Sequence, residues 1–242
     1  PKTTHWGRIK IHEFGKFSTS GLRRAIEEGE YSGWDDPRLP TLRALRRRGI
    51  LPEAIRKFMI EMGVGETDVS ISLDTLYAEN RKLVDLSSNR YFFVWDPVEL
   101  EITGATPRKA RAPLHPTEDR GFREIEVGTK LFVCQDDVDN LTVGDRIRLK
   151  DLYNIEITSI TPLQGRYLGD SMEAVKKERI RIMHWAPVDG IPVTVLAPHG
   201  RFEGIGEPLV AGELNHLVQF ERFGFCRIDS VDNGIVAYFA HK

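Results

Sequence analysis

The stretch RYFFVWDPVELEI, residues 90–102, marks the point at which this 242-residue chain changes character. It is rich in aromatic and β-branched residues and is then interrupted by Pro97, a pattern that is typical of strands. After it, short strand candidates alternate with turns rich in Gly, Pro, Asn and Asp, and no long helical periodicity follows Asn140. This spacing predicts one or two antiparallel β-barrels rather than a parallel sheet.

Before residue 90 the pattern is helical. A short strand in HWGRIKIHEFGKF comes first, and four helices then occupy residues from about 22 to 88. Gly29, Gly49 and Gly63 mark the ends of the first three helices, and Pro40 and Pro52 lie near the starts of the second and third. We expect the fourth helix, in SLDTLYAENRKLVDLS, to begin after Ser72 and to bury Leu73, Leu76, Leu83 and Leu86.

Charge is distributed unevenly along the chain. The formal net charge of -2 argues against a uniformly basic surface. Residues 37–52 nevertheless contain no acid, and the arginines of this segment favour a local surface for a polyanion. The alternative is an ordinary solvated helix face. The basic residues concerned are Arg38, Arg43, Arg46, Arg47 and Arg48.

Composition places the chain among cytosolic globular proteins. The hydrophobic fraction is 40%, no stretch is apolar for long enough to span a bilayer, and the first residues lack a signal-peptide pattern. Cys134 and Cys226 show no CxxC spacing, and we expect both to be reduced and buried. The histidines show no ligand spacing, so we expect no metal site.

The segment GKFSTSGLRR, residues 15–24, combines two glycines, three hydroxyl groups and three cations. Such a loop can bind phosphate, because backbone amides and cations both favour an anion. The alternative is a plain turn that caps the next helix. The residues alone do not decide between these interpretations.

Ordered motifs across nearly the whole chain resemble one family. The segment EGEYSGWDDPRLPTLRALRRRGILPEAIRKF, the stretch that begins at Arg90, and the later segments PLHP, VGDRIRLKDLYNIEI, MHW and VQFERFGFC carry the resemblance. They resemble the glutamyl- and glutaminyl-tRNA synthetases of class I, in the branch with β-barrel anticodon domains. The compact C-terminal barrel and the KFSTS loop are most similar to archaeal-type glutamyl enzymes.

The resemblance implies an α+β multidomain fold, a small helical subdomain followed by two antiparallel β-barrels of the anticodon-binding type. Residues 1–25 would be the end of the catalytic domain, and 26–89 would be a helical subdomain that contacts the tRNA stem. Residues 90–112 plus 186–242 would form the proximal barrel, and 113–185 the distal barrel.

The resemblance also implies roles for individual residues. A KMSKS-like loop would contact the phosphates of ATP, which is expected with Mg²⁺, although Thr19 replaces the loop's second lysine. Each residue could instead have an ordinary structural role, and for Thr117 the solvated alternative is preferred. The loop residues are Lys16, Ser18, Thr19 and Ser20; the tRNA-stem residues are Arg46, Arg47 and Arg48; the anticodon residues are Arg90, Thr117, Arg148 and Lys150.

The resemblance implies that the full enzyme activates glutamate with ATP and transfers it to tRNA(Glu), with tRNA(Gln) as a second candidate. The family's HIGH signature would lie N-terminal to Pro1, and no H-x-G-H occurs in this sequence. We therefore expect the chain alone to be inactive in aminoacylation. Two alternatives remain open: the C-terminal portion of a glutaminyl-tRNA synthetase, and a non-catalytic tRNA-binding module.

Overall fold

The computed structural model describes residue 3 and residues 7–14, 18–63 and 65–242. Within this described part, no helix has both the length and the apolar character needed to cross a membrane. Cys134 and Cys226 are both buried and form no disulfide, as the sequence predicts.

The part of the chain before residue 90 is mainly helical. Helix α2 follows Thr41, whose hydroxyl accepts a hydrogen bond from the Ala44 amide, and it ends at Gly49 in the left-handed conformation. Pro52 opens α3 as predicted, because a first-turn residue needs no amide hydrogen. The elements are β1 (Ile9–Ile11), α1 (Thr19–Glu27), α2 (Leu42–Arg48), α3 (Pro52–Met62), β2 (Val69–Ile71) and α4 (Asp74–Val84).

The predicted inner face of α4 is partly wrong. Leu73 and Leu76 are buried, but Leu83 and Leu86 are 48% and 57% exposed. The buried stripe instead continues from Leu76 at four-residue spacing to Val84, where the helix ends and a 3₁₀ turn begins. Leu83 lies within α4 one residue before Val84, about 100° around the helix from the buried stripe, and Leu86 follows the end of the α-helical period.

The remainder of the chain is β-rich, as predicted, with two short helices. The elements are β3 (Arg90–Tyr91), β4 (Phe93–Trp95), β5 (Pro97–Thr103), β6 (Arg108–Pro113), β7 (Phe122–Val127), β8 (Lys130–Cys134), α5 (Gln135–Val138), β9 (Arg146–Leu149), β10 (Asn154–Ile160), β11 (Leu163–Gly169), α6 (Met172–Glu178), β12 (Arg181–Met183), β13 (Ala186–Pro187), β14 (Ile191–Ala197), β15 (Gly200–Gly206), β16 (Leu217–Phe220), β17 (Gly224–Ser230) and β18 (Ile235–His241).

The strands form two barrel-like sheets, each with its own apolar core. The proximal sheet has the order β3-β16-β17-β18-β14-β15-β4, and the distal sheet has the order β12-β9-β10-β11-β5-β8-β13. Most neighbours are antiparallel, but each sheet also contains parallel pairs. These are β3 with β16 and β14 with β18 in the proximal sheet, and β9 with β12 and β5 with β11 in the distal sheet.

The chain changes sheets earlier than the expected boundary at residue 112. Strand β4 pairs with β15 of the proximal sheet, whereas β5 pairs with β8 and β11 of the distal sheet. The β6–β7 hairpin also packs on the distal core through Ala110, Ile125 and Val127. The crossing falls at Asp96, a non-glycine residue with a positive φ of 45°, which lies between Trp95 and Pro97.

A buried ion pair joins the two sheets. Arg123 of β7 and Glu207, which follows β15, have side chains that are 1% and 0% exposed. The Arg123 Nε donates to both Glu207 carboxylate oxygens, at 2.8 and 3.0 Å, and the Phe92 amide donates to Oε1 at 2.6 Å. Arg123 also donates to the carbonyl of Pro113. Burial raises the pKa of Glu207 despite the neighbouring guanidinium.

A second polar cluster joins the sheets beside the first. Arg222, in the turn between β16 and β17, donates to both carboxylate oxygens of Asp137 in α5, at 2.6 and 2.9 Å. The same guanidinium donates to His184 Nδ1 at 3.1 Å, so the ring proton lies on Nε2, which donates to the Phe93 carbonyl at 2.8 Å. Burial, followed by the Arg222 charge, lowers the pKa of His184 to about 4.

The helical subdomain is held to the proximal sheet by Arg48 at the end of α2. Its side chain is only 1% exposed. The guanidinium donates to the carbonyls of Phe239 and Ala240 in β18, at 2.8 and 2.7 Å, and to the hydroxyl of Tyr77 in α4 at 2.9 Å. One arginine thus fixes two helices against the last strand.

Removing one partner of the Arg123–Glu207 pair should destabilise the protein strongly. Glu207→Leu leaves a buried, uncompensated guanidinium, and we expect the free energy of unfolding to fall by about 3–5 kcal/mol in urea denaturation. The double variant Arg123→Met, Glu207→Leu should recover most of that loss. Glu99→Ala breaks the exposed pair with Lys130 and should cost less than about 1 kcal/mol. Equal losses for Glu207→Leu and Glu99→Ala would contradict this role.

The depressed pKa of His184 predicts a pH-dependent stability. The unfolded chain takes up a proton below the ordinary pKa of 6.5, whereas the folded protein does not do so until about pH 4. Stability should therefore fall as the pH drops from about 6.5 towards 4, by roughly 2 kcal/mol between pH 7 and 5. His184→Asn should reduce the measured fall by that amount. An unaltered pH dependence in His184→Asn would refute the assignment.

Candidate nucleic-acid interface

Two of the predicted anticodon residues, Arg90 and Thr117, meet around His115. His115 is 3% exposed, and its Nδ1 accepts hydrogen bonds from the Thr117 and Glu118 amides at 3.3 and 3.0 Å. The opposite nitrogen, Nε2, therefore carries the proton and donates to the Asp85 carbonyl at 3.1 Å. His115 thus shapes the loop between β6 and β7 that presents Thr117 to solvent. We call Arg90, His115 and Thr117 the polar corner.

The Arg90 side chain is fixed at the edge of this corner. Its Nη2 donates to Asp85 Oδ1 at 2.8 Å and lies 3.5 Å from His115 Nε2. The side chain is 19% exposed, so part of it can still be reached from solvent. The buried Nε finds no hydrogen-bond acceptor among the described residues. An oriented, partly exposed guanidinium is suited to a base edge or a phosphate.

Arg148 was predicted to contact the anticodon, but its side chain does not lie on the surface. It is 8% exposed, and its Nη1 approaches the Asp170 carbonyl at 3.2 Å and Asn154 Oδ1 at 3.4 Å. Burial lowers the pKa of its guanidinium. The side chain therefore braces the end of β9 against the segment that follows β11. Residue alternation placed it correctly on a strand, but the sequence could not show that α6 and its flanks cover that face.

Lys150 lies at the junction of the two sheets. Its Nζ forms an ion pair with Glu221 of the turn after β16, and its backbone carbonyl accepts a hydrogen bond from Trp185 Nε1 at 2.9 Å. The lysine side chain is 38% exposed. Sequence reasoning missed Glu221, because nothing local links residues 150 and 221. Lys150 can reach RNA only by exchanging this partner.

The three consecutive arginines of α2 have different environments. Arg46 is exposed, and among the described residues no carboxylate forms an ion pair with it. Arg47 bridges Asp35 at 2.8 Å and Asp229 at 3.2 Å, and it lies over the Tyr238 ring. Arg48 is buried against β18 and cannot be reached by RNA. The charge of Arg47 is already neutralised by its two aspartates. The prediction that all three arginines contact phosphates therefore needs correction.

Of the KMSKS-like loop residues, Lys16 lies outside the described residues. Ser18 is the N-cap of α1, and its Oγ accepts a hydrogen bond from the Gly21 amide at 3.1 Å. Thr19 and Ser20 are in the first turn, which carries no acid. Arg24 pairs with Glu28 at 2.7 Å, so this side chain extends along α1 towards its C-terminus.

The structure brings together Cys134, Asp137 and His184, residue types that can bind a metal ion, with ligand atoms within 4.8 Å of one another. Their polar atoms are already engaged. Asp137 accepts from Arg222 and also pairs with Arg181 at 2.5 Å, and both nitrogens of His184 have partners. Two guanidinium groups on the one carboxylate disfavour a cation, so we interpret the cluster as a junction between the sheets.

Two family models match the chain. Residues 7–85 match the model described as tRNA synthetases class I (E and Q), catalytic domain. Residues 88–170 match the model described as tRNA synthetases class I (E and Q), anti-codon binding domain. The first match extends across the helical region, well beyond the expected catalytic segment of residues 1–25.

Curated relatives match over the entire chain. Glutamate–tRNA ligase of Methanococcoides burtonii is 69% identical over all of this chain and 42% of its own length. The enzymes of the same name from Methanosarcina acetivorans and Archaeoglobus fulgidus are 68% and 44% identical, each over 43% of its length. The chain therefore spans about two fifths of the length of these relatives.

Proposed function

Because this chain belongs to the class I glutamyl- and glutaminyl-tRNA synthetase family, we propose that it is the tRNA-binding portion of an archaeal-type glutamate–tRNA ligase. The longer enzyme would activate glutamate with ATP and transfer it to tRNA in the cytoplasm. This chain would hold the tRNA stem with α2 and read the anticodon with the polar corner and the sheet junction.

The polar corner carries the proposal. Arg90 and Thr117 come from different elements and lie beside the same buried histidine, which orients the loop of Thr117 while Asp85 holds the Arg90 guanidinium. A partly exposed guanidinium and an exposed hydroxyl give the corner hydrogen-bonding capacity. Sequence-specific RNA readers commonly bind splayed bases with such groups.

The environments of the other basic residues refine the proposal. Arg46 would contact the phosphate backbone, because it is the exposed and uncompensated member of its triplet. Lys150 would contact RNA after exchanging Glu221, and Arg148 would position β9 rather than touch a base. Phosphate contacts fix orientation, whereas base contacts give specificity.

The start of α1 fits a nucleotide phosphate, since hydroxyl groups and free amides converge there without an acid. ATP, bound with Mg²⁺, would supply the phosphoanhydride bond that is broken when glutamate is activated. Ser18, Thr19 and Ser20 would line its phosphates, together with Lys16. Preorganised donors of this kind stabilise charge that develops during phosphoryl and adenylyl transfer.

Glutamate is favoured over glutamine because the relatives described above carry the glutamate name. The proposed partner is accordingly tRNA(Glu), and tRNA(Gln) is the second candidate. A non-catalytic tRNA-binding module would share these contacts. The two differ in whether a longer chain containing this sequence supports glutamate activation.

Arg90→Ala should impair anticodon discrimination. We expect it to weaken binding of cognate tRNA(Glu) far more than binding of the same tRNA with a changed anticodon, because a guanidinium on a base edge gives roughly 1–3 kcal/mol of discrimination. Arg46→Ala should weaken binding of both tRNAs by the same factor and make that binding less dependent on salt concentration. Filter binding at several salt concentrations measures both quantities. If Arg90→Ala lowers the affinity for the two tRNAs equally, Arg90 contacts the RNA backbone rather than a base.

The chain alone should not catalyse glutamate-dependent ATP–pyrophosphate exchange, because its sequence contains no H-x-G-H. In the complete enzyme, Lys16→Ala should lower the exchange rate by ~10²–10³, the typical effect of losing one preorganised donor. Its tRNA affinity should stay unchanged, and Lys177→Ala in α6 serves as the matched lysine control. Exchange by the isolated chain, or a full rate for Lys16→Ala, would overturn these assignments.

A further inference from the structure

A cleft of about 490 Å³ lies between the helical subdomain and the proximal sheet. One wall is the end of α2 with residues 49–52, and the other is formed by residues 213 and 215–217 together with Arg227. Arg46 and Arg120 also line the cleft, Arg46 from α2 and Arg120 from the loop between β6 and β7. A volume of this order accommodates a nucleotide-sized group.

The lining contains three arginines and one carboxylate, that of Glu213. Glu213 Oε1 accepts from Asn89 and from the Tyr91 hydroxyl, each at 2.6 Å, and Oε2 lies 3.3 Å from His216 Nδ1. Arg227 is also committed, because it donates to Asp229 at 2.6 Å and to Asn215 at 2.7 Å. Within the part of the chain that the structure describes, Arg46 and Arg120 form no ion pair.

Arg120 is oriented without being neutralised. Its Nε donates to Asn89 Oδ1 at 2.8 Å, and Asn89 is itself held by donating to Glu213. An amide partner fixes the direction of the guanidinium while leaving its charge uncompensated. Such an arginine is prepared for a bidentate contact with phosphate. Asn89 thus acts as a positioning residue.

We propose that this cleft binds one segment of the RNA phosphate backbone, with Arg46 and Arg120 as its two anchors. The inference rests on the proposed function and adds a site to it. The cleft is linked to the polar corner along the chain, because Asn89, the partner of Arg120, precedes Arg90, and Arg120 belongs to the same loop as Thr117. An RNA strand bound at Arg46 and Arg120 would therefore lie next to the loop that carries Thr117.

The charge distribution favours a polynucleotide over a free phosphate. Arg46 lies on α2 and Arg120 on the β6–β7 loop, and the same lining includes the apolar side chains of Leu51, Val84 and Leu217. A ribose–phosphate backbone offers phosphates to the guanidinium groups and sugars to the apolar side chains, whereas a free phosphate offers only the anion.

The test compares Arg120→Ala with Arg201→Ala in filter binding of tRNA at several salt concentrations. Arg201 is exposed and outside the cleft, and its loss changes net charge equally. We expect Arg120→Ala to weaken cognate and changed-anticodon tRNA by the same factor, about 3- to 10-fold, and to lower the salt slope by about 1. Asn89→Ala should weaken binding while leaving the slope near the wild-type value, because the charge remains.

Each other outcome counts against the proposal. If Arg120→Ala behaves like Arg201→Ala while Arg90→Ala still loses discrimination, the cleft is not an RNA site and the proposed function stands. If the chain binds no tRNA, both fail. At matched ionic strength, inorganic phosphate should compete no better than chloride. Specific competition that disappears in Arg120→Ala would assign the cleft to a free phosphate instead.

Discussion

The arrangement of this protein depends on the buried pair between Arg123 and Glu207. Neither side chain is exposed to more than 1%, and the carboxylate also receives the Phe92 amide. An ion pair removed from water is costly unless its hydrogen bonds are satisfied, so its geometry admits few alternatives. Because Arg123 belongs to the distal hairpin and Glu207 follows a proximal strand, the pair sets how the two sheets meet. Lys150 and Glu221 extend the same junction towards the surface.

A second buried arginine does the same for the helices. Arg48 gives its donors to two carbonyls of the last strand and to Tyr77, and this holds α2 and α4 on the proximal sheet. The sheets and helices are therefore joined by guanidinium groups that bind backbone carbonyls or carboxylates. This arrangement explains why arginine density in the sequence is a poor guide to the nucleic-acid surface. Part of that density is structural.

The basic residues that we assign to RNA form a smaller set. Arg46 and Arg120 both line the cleft, and Arg120 shares its loop with Thr117 of the polar corner. His115 and Asn89 are neutral, and each orients a neighbour by hydrogen bonds rather than by charge. Orienting groups that do not neutralise a cation leave its full charge for a polyanion. Arg120 is thus preorganised by an uncharged partner, whereas Arg90 is held by the carboxylate of Asp85.

Local sequence determined much of the secondary structure and the family of this protein. Gly49 and Pro52 mark the end of α2 and the start of α3, and the change at Arg90 marks the start of the β-rich part, because these signals act over a few residues. Only the tertiary structure decided which sheet receives β5, which of three adjacent arginines stays free, and that Arg90 meets Thr117. Successive helical residues point about 100° apart, so Arg46, Arg47 and Arg48 differ through what packs around α2. That packing comes from strands near the end of the chain, and no local pattern around residues 46–48 encodes it.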